Sequence, residues 1–294
     1  MNIPMIALAA AFAAVLAAAA PAENAGAGDA AAFYISGDIE GMSGFRSGFE
    51  KERNDRILHD HFLAVAEGLH DGGATQVLLK SFHGIPGEYP AFVKQIQKAV
   101  PGEFDLPGIA EAKGGLALVG FHGLPPECGF GHSYRFTNMW LNGKKIGEIT
   151  IQMLRAAAAG VPTVLYVGDS LGAAEVLDLS PDAVIVVVRT GKKCDEGETD
   201  AAMIAAAREG AKKAAALRGK IAVPKMPETF VLEVPMANEA AAQLATKMLA
   251  YPVKVNGKRV SRESKDFMEI YGFLQDTFKV CDEARKIERA KPKP

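Results

Sequence analysis

From residue 33 onward, short and nearly continuous apolar runs alternate with longer stretches in which apolar residues recur every three or four positions. That alternation predicts strands and crossover helices in turn, the rhythm of an α/β protein with a mostly parallel sheet. The predicted strands cover residues 33–37, 76–80, 115–120, 163–167 and 183–189. They are too uniformly apolar for a sheet with one wet face, so helices are expected on both sides. Between the first two, residues 55–71 place Ile57, Leu58, Phe62, Val65, Ala66 and Leu69 on one helical stripe, closed by Gly72-Gly73. Residues 147–159 and the Ala-rich stretch 199–217 predict two further helices.

Two hairpins are also expected. One lies at 139–146 and turns at Asn142-Gly143, a pair that favours positive φ, and the second lies about Asn256-Gly257. Residues 220–227 read as a boundary, followed by a strand at 229–234, a helix at 238–249 and a closing helix at 261–289. The expected organisation is a catalytic α/β domain over 33–225 and a smaller C-terminal α+β region over 226–294, the latter a candidate for assembly of copies.

The first 32 residues stand apart from this pattern. Residues 3–20 are apolar and uncharged, and Ala18-Ala19-Ala20-Pro21-Ala22 ends the run with small residues. This predicts a signal peptide over 1–22, then a linker over 23–32, and places the mature protein in the periplasm or outside the cell. The n-region carries no Lys or Arg, so an uncleaved apolar anchor is the alternative. No other stretch approaches the roughly 20 apolar residues of a membrane span. Lys and Arg number 33 against 35 Asp and Glu, for a net charge of −2, which offers no general attraction for nucleic acid or anionic membrane. The three cysteines, Cys128, Cys194 and Cys281, form no C-x-x-C pair, which removes a zinc ribbon or thioredoxin-like site from consideration.

Candidate chemistry gathers where the predicted strands end. The first runs into Asp38-Ile39-Glu40, the second into Ser81-Phe82-His83 and the third into Phe121-His122. In an open parallel sheet those ends share one edge, the usual place for a ligand. If the chain stays extended, Asp38 and Glu40 point to the same side. Carboxylate oxygen with imidazole nitrogen suits zinc, and Asp38 could bridge two ions, which would polarise a carbonyl and lower the pKa of a bound water. Taken singly, each of these residues reads as a turn former or a structural histidine. His59, His61 and His70, in and at the end of the 55–71 helix, read as solvated or packing residues. His132, in the Gly-containing loop after His122, can reach over such a centre, whereas Glu148 opens a helix, where a carboxylate is favourable in any case. Asp169, after the fourth strand, reads either as a binder of a substrate amino group or as an N-cap.

The run Ser36-Gly37-Asp38-Ile39-Glu40-Gly41-Met42-Ser43-Gly44 resembles the Ser-x-Asp-x-Glu-Gly-x-Ser-Gly signature of the zinc D-aminopeptidase family. The resemblance continues through His83, Gly120-Phe121-His122, His132-Ser133 and Ile146-Gly147-Glu148. It implies a homo-oligomeric binuclear zinc aminopeptidase acting on short peptides with an N-terminal D-amino acid. It also implies metal-ligand roles for Asp38, Glu40, His83, His122 and Glu148, with His132 as catalytic base, acid or nucleophile. Two features depart from the family. Asp-Ser usually precedes the histidine that corresponds to His83, where this chain has Ser81-Phe82, and the family's type member carries no export signal. Two other readings remain: a binuclear metallohydrolase of L-peptides, amides or phosphate esters, and an exported peptide- or metal-binding protein without turnover.

Overall fold

All five apolar runs form strands. The computed structural model describes residues 31–45, 50–96, 105–124, 138–189 and 201–290; the signal segment 1–22, the loop carrying His132, and Cys128 and Cys194 lie outside the described residues. In chain order β1 (Ala32–Gly37), β2 (Gln76–Ser81), β3 (Val93–Gln95) and β4 (Gly115–Phe121) come first. Then β5 (Met139–Leu141) and β6 (Lys144–Ile146) form a hairpin, and β7 (Thr163–Asp169) and β8 (Val184–Arg189) follow. One parallel sheet has the order β3-β2-β1-β4-β7-β8. The chain winds outward in one direction through β2 and β3, then returns to the centre as β4 and winds the other way. The sheet therefore changes direction between β1 and β4, the position at which doubly wound sheets open a crevice.

Helices cover both faces, as the apolar strands require. Helices α1 (Lys51–Asp71), α2 (Glu148–Ala158), α3 (Ser170–Leu179) and α4 (Ala201–Ala216) follow in chain order. On one face, Phe62, Val65 and Leu69 of α1 and Ala207, Ala211 and Ala214 of α4 share a core with Ile35, Val77, Val119 and Val167. The alanines of α4 answer a close helix contact: a Cβ added at Gly68 of α1 would lie 2.1 Å from the Arg208 carbonyl oxygen. On the other face, Ile149 and Met153 of α2 and Val176 of α3 pack against Tyr34, Leu118, Phe121 and Tyr166.

The remaining chain supplies β9 (Phe230–Pro235), α5 (Glu239–Met248), β10 (Lys254–Asn256), β11 (Arg259–Ser264) and α6 (Phe267–Arg289). An antiparallel sheet of order β10-β11-β9-β5-β6 results, so the hairpin at 139–146 leaves the first sheet to complete the second. Asn142 and Gly143 both take positive φ at its turn, 51° and 78°. The Asn142 amide then bridges to β9, accepting from Val231 N at 2.7 Å and donating to the Thr229 carbonyl at 2.9 Å. Ile151 and Leu154 of α2 join the second core with Leu232, Ile270 and Phe273, so α2 is buried against both sheets. The closing helix starts later than the pattern at 261–289 predicted. Residues up to Ser264 pair with β9 instead, and Asp266 caps the helix, accepting from Met268 N at 2.7 Å. No helix among the described residues is long and apolar enough to cross a membrane.

The three helix histidines have structural partners. His59 Nε2 lies 3.1 Å from the Glu88 carbonyl oxygen, and His70 stacks on Phe92 with ring centroids 4.1 Å apart. His61 is fully buried, with Nδ1 2.9 Å from the Ile57 carbonyl oxygen and Nε2 without a hydrogen-bond partner among the described residues. Burial pushes its pKa down to about 4, and the ring is held neutral. The unfolded chain takes up this proton near pH 6.5 and the folded chain only near pH 4, so stability is present above that window and is lost as pH falls through it. Urea unfolding at pH 7 and pH 4.5 should show the wild type losing about 2 kcal/mol more than His61→Leu; equal losses would contradict the assignment.

Candidate metal centre

The strand ends that meet at the switch point are fixed to one another by main-chain hydrogen bonds. Beyond β1, Asp38 N donates to the Val119 carbonyl at 2.8 Å and Gly41 N to the Gly120 carbonyl at 2.7 Å. The chain then turns, with Met42 N donating to the Ile39 carbonyl at 3.0 Å. Asp38 and Glu40 thus share one pocket because of this turn, where the sequence pattern assumed an extended run. Glycine is required where the two segments touch. A Cβ at Gly41 would lie 1.9 Å from the Phe121 carbonyl oxygen, and Gly120, at φ 81°, would place one 2.1 Å from that of Asp38.

Five of the predicted site residues converge here. Asp38 is 2% exposed, His122 6% and Glu148 9%. Asp38, Glu40 and His83 form one group whose donor atoms all lie within 4.8 Å of one another, and Asp38, His122 and Glu148 form a second. Asp38 belongs to both. Its Oδ1 lies 2.9 Å from His83 Nε2, and its Oδ2 lies 4.0 Å from His122 Nε2. Glu40 Oε2 is 3.2 Å from His83 Nε2. The His83 side chain is 39% exposed, so the centre opens to solvent on its side.

The surroundings orient these side chains. His122 Nδ1 lies 2.9 Å from the Gly123 carbonyl oxygen, which can only accept; Nδ1 therefore carries a proton, and Nε2 is the ring nitrogen left to face the centre. Arg189, at the end of β8, donates to the Glu40 carbonyl. Where the family pattern has a carboxylate, this chain has Ser81, whose Oγ accepts from His83 N at 3.1 Å; Phe82 packs edge-to-face on Phe121, with centroids 5.9 Å apart, and Lys80 Nζ sits 4.5 Å from its ring centre. Asp169 accepts from Gly172 N at 2.6 Å and from Gly123 N at 2.9 Å, so its carboxylate is engaged by the backbone as an N-cap.

The pocket concentrates negative charge away from water. Burial, and then the charges of Glu40 and Glu148, push the Asp38 carboxyl up to about 8 against the opposing hydrogen bond from His83. Burial works against a charge on His83, but its hydrogen bonds to Asp38 and Glu40 prevail and hold it at about 10. His122 is likewise raised: burial opposes its charge, and Asp38 and Glu148 outweigh it. Three carboxyl groups at one buried point favour uptake of positive charge, and bound protons are one form of it. Metal cations would supply the same charge by displacing those protons. Asp38 Oδ2 is buried without a hydrogen-bond donor among the described residues, which leaves it available to a cation. The residues present therefore fit a pair of cations sharing Asp38.

Sequence reasoning missed two residues that support this centre: Arg189, and Glu175, whose Oε1 accepts from Gly147 N and Thr150 N on either side of Glu148. The first left a signal, an arginine closing an apolar strand. Glu175 left none, because a glutamate inside a helix is ordinarily solvated.

A doubly covered parallel sheet with two ligand groups at its switch point defines an α/β protein of the metallohydrolase type. Comparison with known proteins makes this specific. The D-aminopeptidase family pattern matches residues 32–275. The chain belongs to the D-aminopeptidase family, a family of peptide hydrolases. It is 25% identical over 271 residues to the D-aminopeptidase of Bacillus subtilis (strain 168), across 81% of this chain and 93% of that protein. Its fold matches the structure of the Zn-dependent D-aminopeptidase DppA from Bacillus subtilis, described as a self-compartmentalizing protease. The TM-score is 0.68 at 18% identity, over 85% of this chain and 97% of that one.

The close approach of the two strand exits can be tested at Gly120. Gly120→Ala should cost about 1–3 kcal/mol from the positive φ alone, and more from the contact with Asp38. A lowered urea midpoint with an unchanged slope is expected, and an unchanged midpoint would contradict it.

Proposed function

We propose that this chain is an exported aminopeptidase that removes D-amino acids, of the D-alanyl type, from the N-terminus of short peptides. In this reading it holds two zinc ions with Asp38, Glu40, His83, His122 and Glu148. The observation that carries the reading is that the five residues fall into two groups sharing the buried carboxylate of Asp38. Carboxylate oxygen with imidazole nitrogen is a zinc donor set. Two such ions would supply Lewis acidity at the scissile carbonyl and a nucleophile at neutral pH.

The protein's own groups hold and aim the substrate. The half-exposed His83 marks the open side by which a peptide reaches the centre, and the buried walls at Asp38 and His122 exclude bulk water. His132, which lies outside the described residues, is the imidazole that acts on the scissile bond, a role it takes from the family correspondence. Homo-oligomeric assembly, supported by the self-compartmentalizing relative, would restrict access to small peptides. The apolar segment 3–20 supports export. Ser81, in place of the family's carboxylate two residues before His83, would leave the ion on that side less firmly held than in the usual family pattern.

The test is elemental analysis of the purified protein, together with hydrolysis of D-Ala and L-Ala p-nitroanilides in the same preparation. About two zinc ions per chain with D-selective turnover is expected; absence of metal or preference for L-Ala would overturn the reading. Asp38→Asn should lose both ions and the activity. His132→Ala should keep the metal and lose turnover, an outcome that would also dispose of a purely binding role.

A further inference from the structure

One short helix reaches the backbone beside both ligands of the inner group. Its first contact is Asp169, the N-cap of α3, which accepts from Gly123 N, the amide that follows His122. The Tyr166 hydroxyl donates to the Phe121 carbonyl at 2.9 Å, and the residue before His122 is thereby tied as well. Gly123 itself sits hard against the first turn of α3, where an added Cβ would lie 2.3 Å from that of Leu171. The second contact is Glu175, within the first two turns of the same helix. Its Oε1 accepts from Gly147 N at 2.9 Å, from Thr150 N at 3.1 Å and from Thr150 Oγ1 at 2.5 Å. Those donors bracket Glu148 at the start of α2. Gly147, the N-cap residue of α2, has no side chain to accept from the helix's first amides, and Glu175 supplies the missing acceptor from another helix.

The outer group is built differently. Asp38 and Glu40 are set by the β1 turn and by Arg189, and His83 by its amide hydrogen bond to Ser81 Oγ at 3.1 Å. None of these contacts involves α3.

We propose that α3 is a positioning element for the Asp38–His122–Glu148 group alone, with Glu175 fixing Glu148 and Asp169 fixing His122. Neither side chain is a metal ligand in this inference; each acts through the backbone that carries one. The inference rests on the two-cation reading, and its consequence is that the two ions are separable: damage to α3 weakens one and spares the other.

The experiment titrates metal-free protein with Zn²⁺ against a chromophoric chelator, and measures amide hydrogen exchange on the same metal-free samples. Wild type should bind two ions. Glu175→Ala should keep one at near wild-type affinity and bind the other about 10–100-fold more weakly, the usual cost of an outer-sphere change. Glu175→Gln, whose amide oxygen can accept the same donors, should bind both. Thr150→Val removes one of the three donors and should shift the same ion by a smaller factor, which provides a milder variant of the same test. Exchange in Glu175→Ala should accelerate at residues 147–150 and stay unchanged at residues 38–41. Equal weakening of both ions, no weakening, or unchanged exchange at 147–150 would each overturn the inference. A wild type that binds fewer than two ions would defeat the two-cation reading instead, and the exchange data would still decide the role of Glu175.

Discussion

The structure depends on the burial of the Asp38 carboxylate at the end of the central strand, with Glu40 and Glu148 beside it. Like charges in a poorly solvated pocket repel strongly, and the arrangement persists only if positive charge enters with them. Raised proton affinity at Asp38, His83 and His122 is one expression of that demand, and cations would meet it as well. A fold that only needed to be stable would not gather three carboxylates at one buried point. Their convergence is therefore the strongest functional statement the molecule makes.

The architecture is arranged so that this pocket does not collapse. The parallel sheet delivers β1 and β4 side by side at the switch point, and close backbone contacts at Gly41 and Gly120 lock their exits together. Helix α2, buried between two sheets, brings Glu148 in from the side of the antiparallel sheet. The hairpin at 139–146 leads directly into α2 and is tied to β9 through Asn142, so the C-terminal sheet also supports Glu148, which lies some eighty residues earlier in the chain.

Much of this was legible in the chain itself. The five parallel strands, the crossover helix α1 and the Asn142-Gly143 turn follow from local periodicity and turn chemistry, which survive folding because each is satisfied within a few residues. Where local pattern and long-range pairing competed, pairing prevailed: residues 261–264 look helical beside the long amphipathic stretch after them, yet they are drawn into the edge of β9. Strand β3 is only three residues long, too short to leave a pattern.

For the site, the sequence by itself determined the ligand types and their order, because oxygen and nitrogen donors stand at the ends of successive apolar runs and match a family signature. Spacing alone did not promote Glu148. Tertiary structure decided that Asp38 is shared between two groups, that a turn aims Glu40, and that Asp169 is engaged by the backbone at Gly123 and Gly172. It also decided that Glu175 reaches across from α3 to hold the start of α2. Each of these depends on distances between segments far apart in the chain. Residue order records which groups are available, and only the packing of sheet and helices determines which of them meet.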